Sequence, residues 1–318
     1  MIKLKPDFLR GSYPPIITPF KSNGEVDFES FRTCVDFSIR NGSQGVLISG
    51  TSAEPSALTL EERIQLFKEA IDVNAGRVPV VAATGSQSER ETTFLTEAAE
   101  KAGADALLVV TPYYIRPPQR GLAQYYVNLC KRTSLPVMIY HIPGRTAVSI
   151  QLDTLKDIVA RADNMVGMKH AVNDLGFVTH VLAAFGFEWR VFVGIEDLSF
   201  PMMTIGACGL MNAVGNLAPK KLSQICEAVD RGDLAAARRL HYELAELNEA
   251  VFFDTNPIPI KYMMWKMGLI ANNTHRLPMA PATPELGERL DGVMKRAGLL
   301  PARQRPDAPS RVEARRHQ

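Results

Sequence analysis

Short apolar runs recur along the chain about every 30 residues, and each is followed by a helix-length segment with charged and apolar residues at helical spacing. The runs are PPIIT at 14–18, GVLIS at 45–49, VPVVAAT at 78–84, ALLVVT at 106–111, PVMIY at 136–140, MVGMK at 165–169, RVFVG at 190–194 and GLMNAV at 209–214. Strands apolar on both faces and joined by helical crossovers require a parallel sheet covered by helices, and eight such units close a (β/α)8 TIM barrel. An open doubly wound sheet is the competing arrangement, but no G-x-G-x-x-G follows the first run.

Helix boundaries agree with this register. Thr59 before Leu60-Glu61-Glu62 reads as a capping box, Ser88 precedes a charged first turn, and Gly76 and Gly103 stop their helices. Beyond residue 217 the strands end, and segments near 219–231, 233–252, 257–267 and 284–297 read as consecutive helices. The expected organisation is a barrel over 10–217, a C-terminal helical appendage over 218–298, and a disordered tail over 299–318, where Arg, Pro and small polar residues dominate.

Composition narrows the function. With 318 residues, 46% of them hydrophobic and 22% charged, the chain can bury a large core and is not disordered as a whole. A net charge of +2, without a basic stripe interleaved with aromatics, argues against a nucleic-acid partner. Cys34, Cys130, Cys208 and Cys226 stand far apart, with no zinc-site spacing, and read as reduced thiols. No apolar run is long enough for a membrane span and no signal peptide is evident, so a cytoplasmic enzyme without a membrane partner is expected.

Lys169 carries the most information. It closes the run M-V-G-M-K, and strict alternation would place Met165, Gly167 and Lys169 together on the lumen side of strand six. Desolvation of a lysine favours the neutral amine, the form that attacks carbonyls; the bland alternative is a lysine snorkelling out at a strand end. Tyr140 ends strand five and should face the same barrel mouth, where a phenol could move protons or simply pack. Gly50-Thr51-Ser52-Ala53-Glu54 follows strand two and offers N–H and O–H donors to a carboxylate, although hydroxyls in turns often only cap. Arg145 in P-G-R-T is a natural carboxylate partner in a catalytic-face loop. His141 and His170 should face the helix layer in structural roles, and no metal-ligand spacing is present, so no metal is expected. Thr51, Tyr140, Arg145 and Lys169 all fall at the carboxyl ends of the strands or just beyond, the catalytic face of such barrels.

Over residues 10–298 the chain resembles the dihydrodipicolinate synthase/N-acetylneuraminate lyase family. The resemblance rests on GTSAE at 50–54, TPYYIRPPQRGL at 111–122, YHIPGRT at 140–146, GMKHA at 167–171 and NPIPIKYMMWKMGLI at 256–270. It implies a Schiff-base lyase or aldolase acting on pyruvate or a related 2-oxo acid together with an aldehyde-type second substrate. Lys169 would then form the imine, with Tyr140, Thr51 and Tyr114 as the proton relay, Tyr114 entering a neighbouring subunit's site. Thr51 and Ser52 would hold the keto acid's carboxylate and Arg145 that of the second substrate, with Gly194 and Met211 lining the pocket. No metal or organic cofactor is implied, and a homodimer or homotetramer is.

Arg145 is similar to the synthase branch, which joins pyruvate to aspartate semialdehyde. Ala53, His141 and His170 depart from the family's glycine, asparagine and acidic residue, which leaves sugar-acid aldolases, dehydratases and a hydroxy-pyrroline-carboxylate deaminase as alternatives on the same scaffold. A non-catalytic keto-acid-binding protein is the alternative of a different class; loss of the lysine or tyrosine would favour it, and both are present. The resemblance also locates a cleft where many synthases bind lysine as an inhibitor. Tyr113 and Glu91 match it, whereas Pro55, Gln87 and Arg63 do not, so weak inhibition by lysine is expected.

Overall fold

The computed structural model describes residues 1–300, so the expected tail lies, from residue 301 onward, outside the described residues. Eight strands carry the apolar runs: β1 Gly11–Ser12, β2 Val46–Ile48, β3 Val80–Ala83, β4 Ala106–Val110, β5 Val137–His141, β6 Met165–His170, β7 Arg190–Val193 and β8 Gly209–Leu210. All pair in parallel in the order β1-β8-β7-β6-β5-β4-β3-β2. A bridge between Pro15 and Leu47 closes the ring: Leu47 N–H donates to the Pro14 carbonyl at 3.0 Å and Ile16 N–H to the Leu47 carbonyl at 2.9 Å. The fold is a (β/α)8 barrel.

The first strand is shorter and earlier than the expected 14–18. Pro14 and Pro15 lack N–H groups and cannot sustain a ladder on both sides, so regular pairing stops at Ser12 and β2 is met through single bonds.

The helices are α1 Phe28–Arg40, α2 Leu60–Asn74, α3 Glu89–Ala102, α4 Gln119–Cys130, α5 Pro143–Thr146, α6 Leu152–Arg161, α7 Leu175–Phe185, α8 Ser199–Thr204, α9 Pro219–Asp230, α10 Leu234–Glu243, α11 Ala245–Ala250, α12 Ile258–Lys266 and α13 Pro284–Arg296. The reciprocal capping box of Thr59 and Glu62 opens α2, Ser88 accepts from Glu91 N–H at the start of α3, and left-handed Gly103 ends α3. The expected helix over 233–252 runs as two, α10 and α11.

Two apolar cores result. The larger lies between the strands and the helices; the smaller fills the lumen with Tyr13, Leu47, Val81, Leu108, Met138, Val166, Phe192 and Met211. Strict alternation along β6 does not hold. The register against β5 slips between Val137 and Met138, so Met165 joins the outer core while Val166 points inward. Met165 and Lys169 therefore occupy opposite faces. Past the bulge the alternation resumes, with Met168 outward and Lys169 across from Tyr140 on the lumen side. A Cβ at Gly167 would collide with the Arg190 carbonyl, so the bulge needs a glycine there. Fully buried Arg190 seals the barrel floor by donating to the Phe8 and Lys5 carbonyls at 3.2 Å each.

Candidate active site

At the carboxyl end of β6, Lys169 is 4% exposed, with Nζ 4.4 Å from the centre of the Tyr140 ring. The Tyr140 hydroxyl accepts a hydrogen bond from Thr51 Oγ1 at 3.3 Å, joining the mouths of β5 and β2. Gly194, just after β7, gives Lys169 its space: a Cβ there would lie 2.7 Å from Lys169 Cε. Met211, just past β8, is buried in the lumen core.

A cavity of about 330 Å³ opens at the barrel mouth; Tyr140 lines it, whereas Lys169, Gly194 and Met211 lie outside its walls. Thr51, Tyr140, Arg145, Arg63 and Tyr113 line it from the barrel side, and Thr255, Asn256 and Met279 from the C-terminal region. Arg145 lies in the last turn of the short helix α5 and is exposed, free to meet an anionic group entering the mouth. Tyr114 stands apart from the cavity walls, 87% exposed and in a left-handed conformation with φ of 72°. One chain does not bring Tyr114 to Tyr140 and Thr51.

The Gly50–Glu54 loop is held from behind by residues from the C-terminal region. Ser52 Oγ accepts from Asn256 Nδ2 at 3.2 Å. Glu54 is buried, its Oε1 receiving Lys261 Nζ at 2.8 Å and its Oε2 facing His275 Nδ1 at 3.1 Å. Burial opposes charge on Glu54, but the His275 hydrogen bond and the Lys261 ammonium overcome it and hold the carboxyl below its usual range. Phe20 lies between two cations, with Lys261 Nζ 4.3 Å and the Arg276 guanidinium 4.7 Å from its ring centre. GTSAE and NPIPIK each contained part of this network, but 207 residues separate Lys261 from Glu54, and spacing alone cannot show that they meet. Ala53 is compatible with the loop because the left-handed residue is Glu54, at φ of 54°, so a glycine is not needed at 53.

His141 and His170 face the helix layer. Their Nδ1 atoms are 3.2 Å apart, and the Phe177 ring packs against both. His141 Nε2 accepts from Ile150 N–H at 3.4 Å, which puts the His141 proton on Nδ1 and makes it the donor to His170. Among the described residues no group of three His, Cys, Asp or Glu could hold a metal ion, and no helix is long and apolar enough to cross a membrane.

A buried lysine beside a phenol at the carboxyl ends of the strands of a (β/α)8 barrel, in a chain that matches the family and relatives given next, defines a class I lyase, an enzyme that works through a lysine Schiff base. The chain belongs to the dihydrodipicolinate synthetase family, whose model matches residues 8–297. It is 42% identical over 293 residues to the 4-hydroxy-tetrahydrodipicolinate synthase of Thermus thermophilus, covering 92% of this chain and 97% of that enzyme. The crystal structure of dihydrodipicolinate synthase from Aquifex aeolicus superposes with a TM-score of 0.89 at 35% identity, covering 91% of this chain and 98% of the other. The enzyme from Cyanidioschyzon merolae, crystallised with lysine bound, gives a TM-score of 0.89 at 30% identity, covering 92% and 100%.

Proposed function

We propose that the protein condenses pyruvate with aspartate semialdehyde, the reaction of a 4-hydroxy-tetrahydrodipicolinate synthase. The observation that carries this reading is the contact of Lys169 Nζ with the Tyr140 ring, together with the Tyr140–Thr51 hydrogen bond. The Lys169 amine attacks the keto carbon, and one proton is taken up as the keto oxygen leaves as water. A cationic iminium remains. Loss of a methyl proton gives the enamine, whose carbon adds to the aldehyde. Water then releases the product from the lysine. Tyr140 and Thr51, joined by a hydrogen bond, carry protons to and from these oxygens. Thr51 and Ser52 hold the keto acid's carboxylate, Gly194 and Met211 shape the pocket around Lys169, and Arg145 takes the second substrate's carboxylate.

Tyr114 completes the relay in a neighbouring subunit. Its 87% exposure, beside Ile115 at 62%, suits a face buried in a dimer or tetramer of this chain. The barrel over 10–217 supplies the reacting groups and the helical region over 218–298 one wall of the cavity, through Thr255, Asn256 and Met279. Four buried free thiols suit a reducing compartment, the cytoplasm.

Borohydride tests the reading. With pyruvate present it is expected to inactivate the enzyme irreversibly and add a pyruvate-derived mass to Lys169, and Lys169→Ala is expected to abolish both effects. Label on another lysine would refute the assignment.

A further inference from the structure

Arg63, on α2, is a buried cation without a counter-ion among the described residues. It is 5% exposed, and the groups that hold it are neutral: Nε donates to Ser49 Oγ at 2.9 Å and Nη2 to the Ala83 carbonyl at 2.8 Å. Nη1 finds no acceptor among the described residues. The carboxylate whose field reaches it is that of Glu91, which is exposed and accepts from Ser86 Oγ at 2.6 Å rather than from Arg63. A guanidinium keeps its charge when buried, and a buried charge that nothing balances is costly to maintain. The same side chain lines the cavity at the barrel mouth, beside Gly85, Val110 and Tyr113, and about 330 Å³ is room for a small organic molecule. An unbalanced charge at the wall of an open cavity is placed to be balanced from the cavity.

We propose that Arg63 anchors an anion subsite in the wall of this cavity, and that the ligand it takes is a small carboxylate bearing no ammonium group. The unused edge of a planar guanidinium matches the two oxygens of a carboxylate, and with little water around the cation the attraction is stronger than in bulk solvent. An ammonium group is disfavoured because Arg63 and Arg145 both line the cavity, so a second cation would enter against like charge. The subsite does not depend on the imine. Lys169 lies outside the cavity walls, and Arg63 is tied instead to Ser49 and Ala83, at the ends of β2 and β3.

The test is calorimetry with sodium propionate, titrated into the substrate-free enzyme at constant ionic strength. Propionate has a carboxylate but no keto group, so it forms no imine. Saturable binding at millimolar concentration is expected. Arg63→Gln keeps a side-chain donor for its neighbours but carries no charge, and is expected to weaken binding at least about tenfold, the effect of losing one charge-assisted hydrogen bond. Arg63→Lys keeps the charge without the fork and is expected to fall between the two. β-Alanine, which adds an ammonium group to the propionate skeleton, is expected not to bind. Absence of propionate binding to the native enzyme would overturn the proposal. So would native affinity in Arg63→Gln, which would give the carboxylate to Thr51 and Ser52 or to Arg145. Equal weakening in the Gln and Lys variants would show that shape rather than charge holds the ligand, and β-alanine bound as tightly as propionate would refute the ligand class. None of these results touches borohydride trapping at Lys169, so the two readings fail separately.

Discussion

Two successive rungs of the β5–β6 ladder carry opposite chemistry. Tyr140 pairs with Lys169 and His141 with His170, and all four side chains are buried, at 6%, 4%, 4% and 0% exposure. Burial alone therefore does not separate them. The first pair faces the lumen, where Thr51 reaches the phenol from across the mouth and Tyr140 lines the cavity. The second faces the helix layer, closed under Phe177, and burial pulls both imidazoles down to about 4, keeping them neutral. The same strands thus hold the proposed reactive groups on one face and a sealed polar pair on the other. What differs is whether a substrate can arrive.

The sharpest way to break this comparison is to exchange the consequences of the two rungs. Lys169→Ala is expected to remove turnover entirely with the melting temperature little changed, whereas His170→Asn is expected to retain turnover and lose stability. Equal losses of activity would show that both faces take part. Tyr140→Phe comes next. Removal of one hydroxyl is expected to lower kcat about 10²- to 10⁴-fold, the range for a proton-transfer group, while His141→Asn stays within about tenfold of the native rate. Steady-state kinetics on the two variants decides this, and native turnover by Tyr140→Phe would make the phenol merely structural.

Much of this was legible in the sequence because β-alternation and the eight-fold repeat are local signals. The outward placement of His141 and His170 and the inward placement of Tyr140 follow from counting residues along β5 and β6. The position of Met165 did not, because the bulge opposite Val137 depends on pairing with a neighbouring strand, which no count along one strand contains. The support behind Thr51 and Ser52 was hidden for a similar reason: Asn256, Lys261 and His275 reach the loop from more than two hundred residues away.

A smaller effect lies in the outer pair's response to acid. An imidazole ordinarily titrates at 6.5, and His141 and His170 do so at about 4 in the folded chain. Between those values the unfolded chain takes up protons that the folded one refuses, so the pair's stability is whole above about pH 6.5 and falls as pH drops toward 4. The loss is up to roughly 3 kcal/mol for either imidazole, with the nearby Asp174 carboxylate easing protonation of both. Urea unfolding at pH 7.5 and 5.0 measures it, and the double variant His141→Asn/His170→Gln is expected to show a shallower decline. An identical decline in the variant would place the acid sensitivity elsewhere.

Arg63 sharpens the comparison from a third side, because burial that neutralises an imidazole does not neutralise a guanidinium. Burial pulls Arg63 down only to about 10, so it remains cationic at neutral pH. It is 5% exposed rather than turned to solvent, with Nε donating to Ser49 Oγ at 2.9 Å and Nη2 to the Ala83 carbonyl at 2.8 Å, and it lines the cavity with Pro55 and Tyr113. Ser49 holds a left-handed φ of 60° just before Gly50 and Thr51, so the Arg63 hydrogen bond also steadies the start of the Gly50–Glu54 loop. A lysine ligand at this cleft would bring its ammonium groups against a fixed positive charge, and Pro55 offers no side-chain hydrogen bond in return. Losing two charge-assisted hydrogen bonds, at about 1.5–3 kcal/mol each, weakens binding by a factor of 10² or more. Millimolar L-lysine is therefore expected to leave the rate almost unchanged. Calorimetry settles it: saturable binding at micromolar lysine, accompanied by loss of activity, would show that the cleft tolerates the Arg63 charge and that the loop answers to lysine after all.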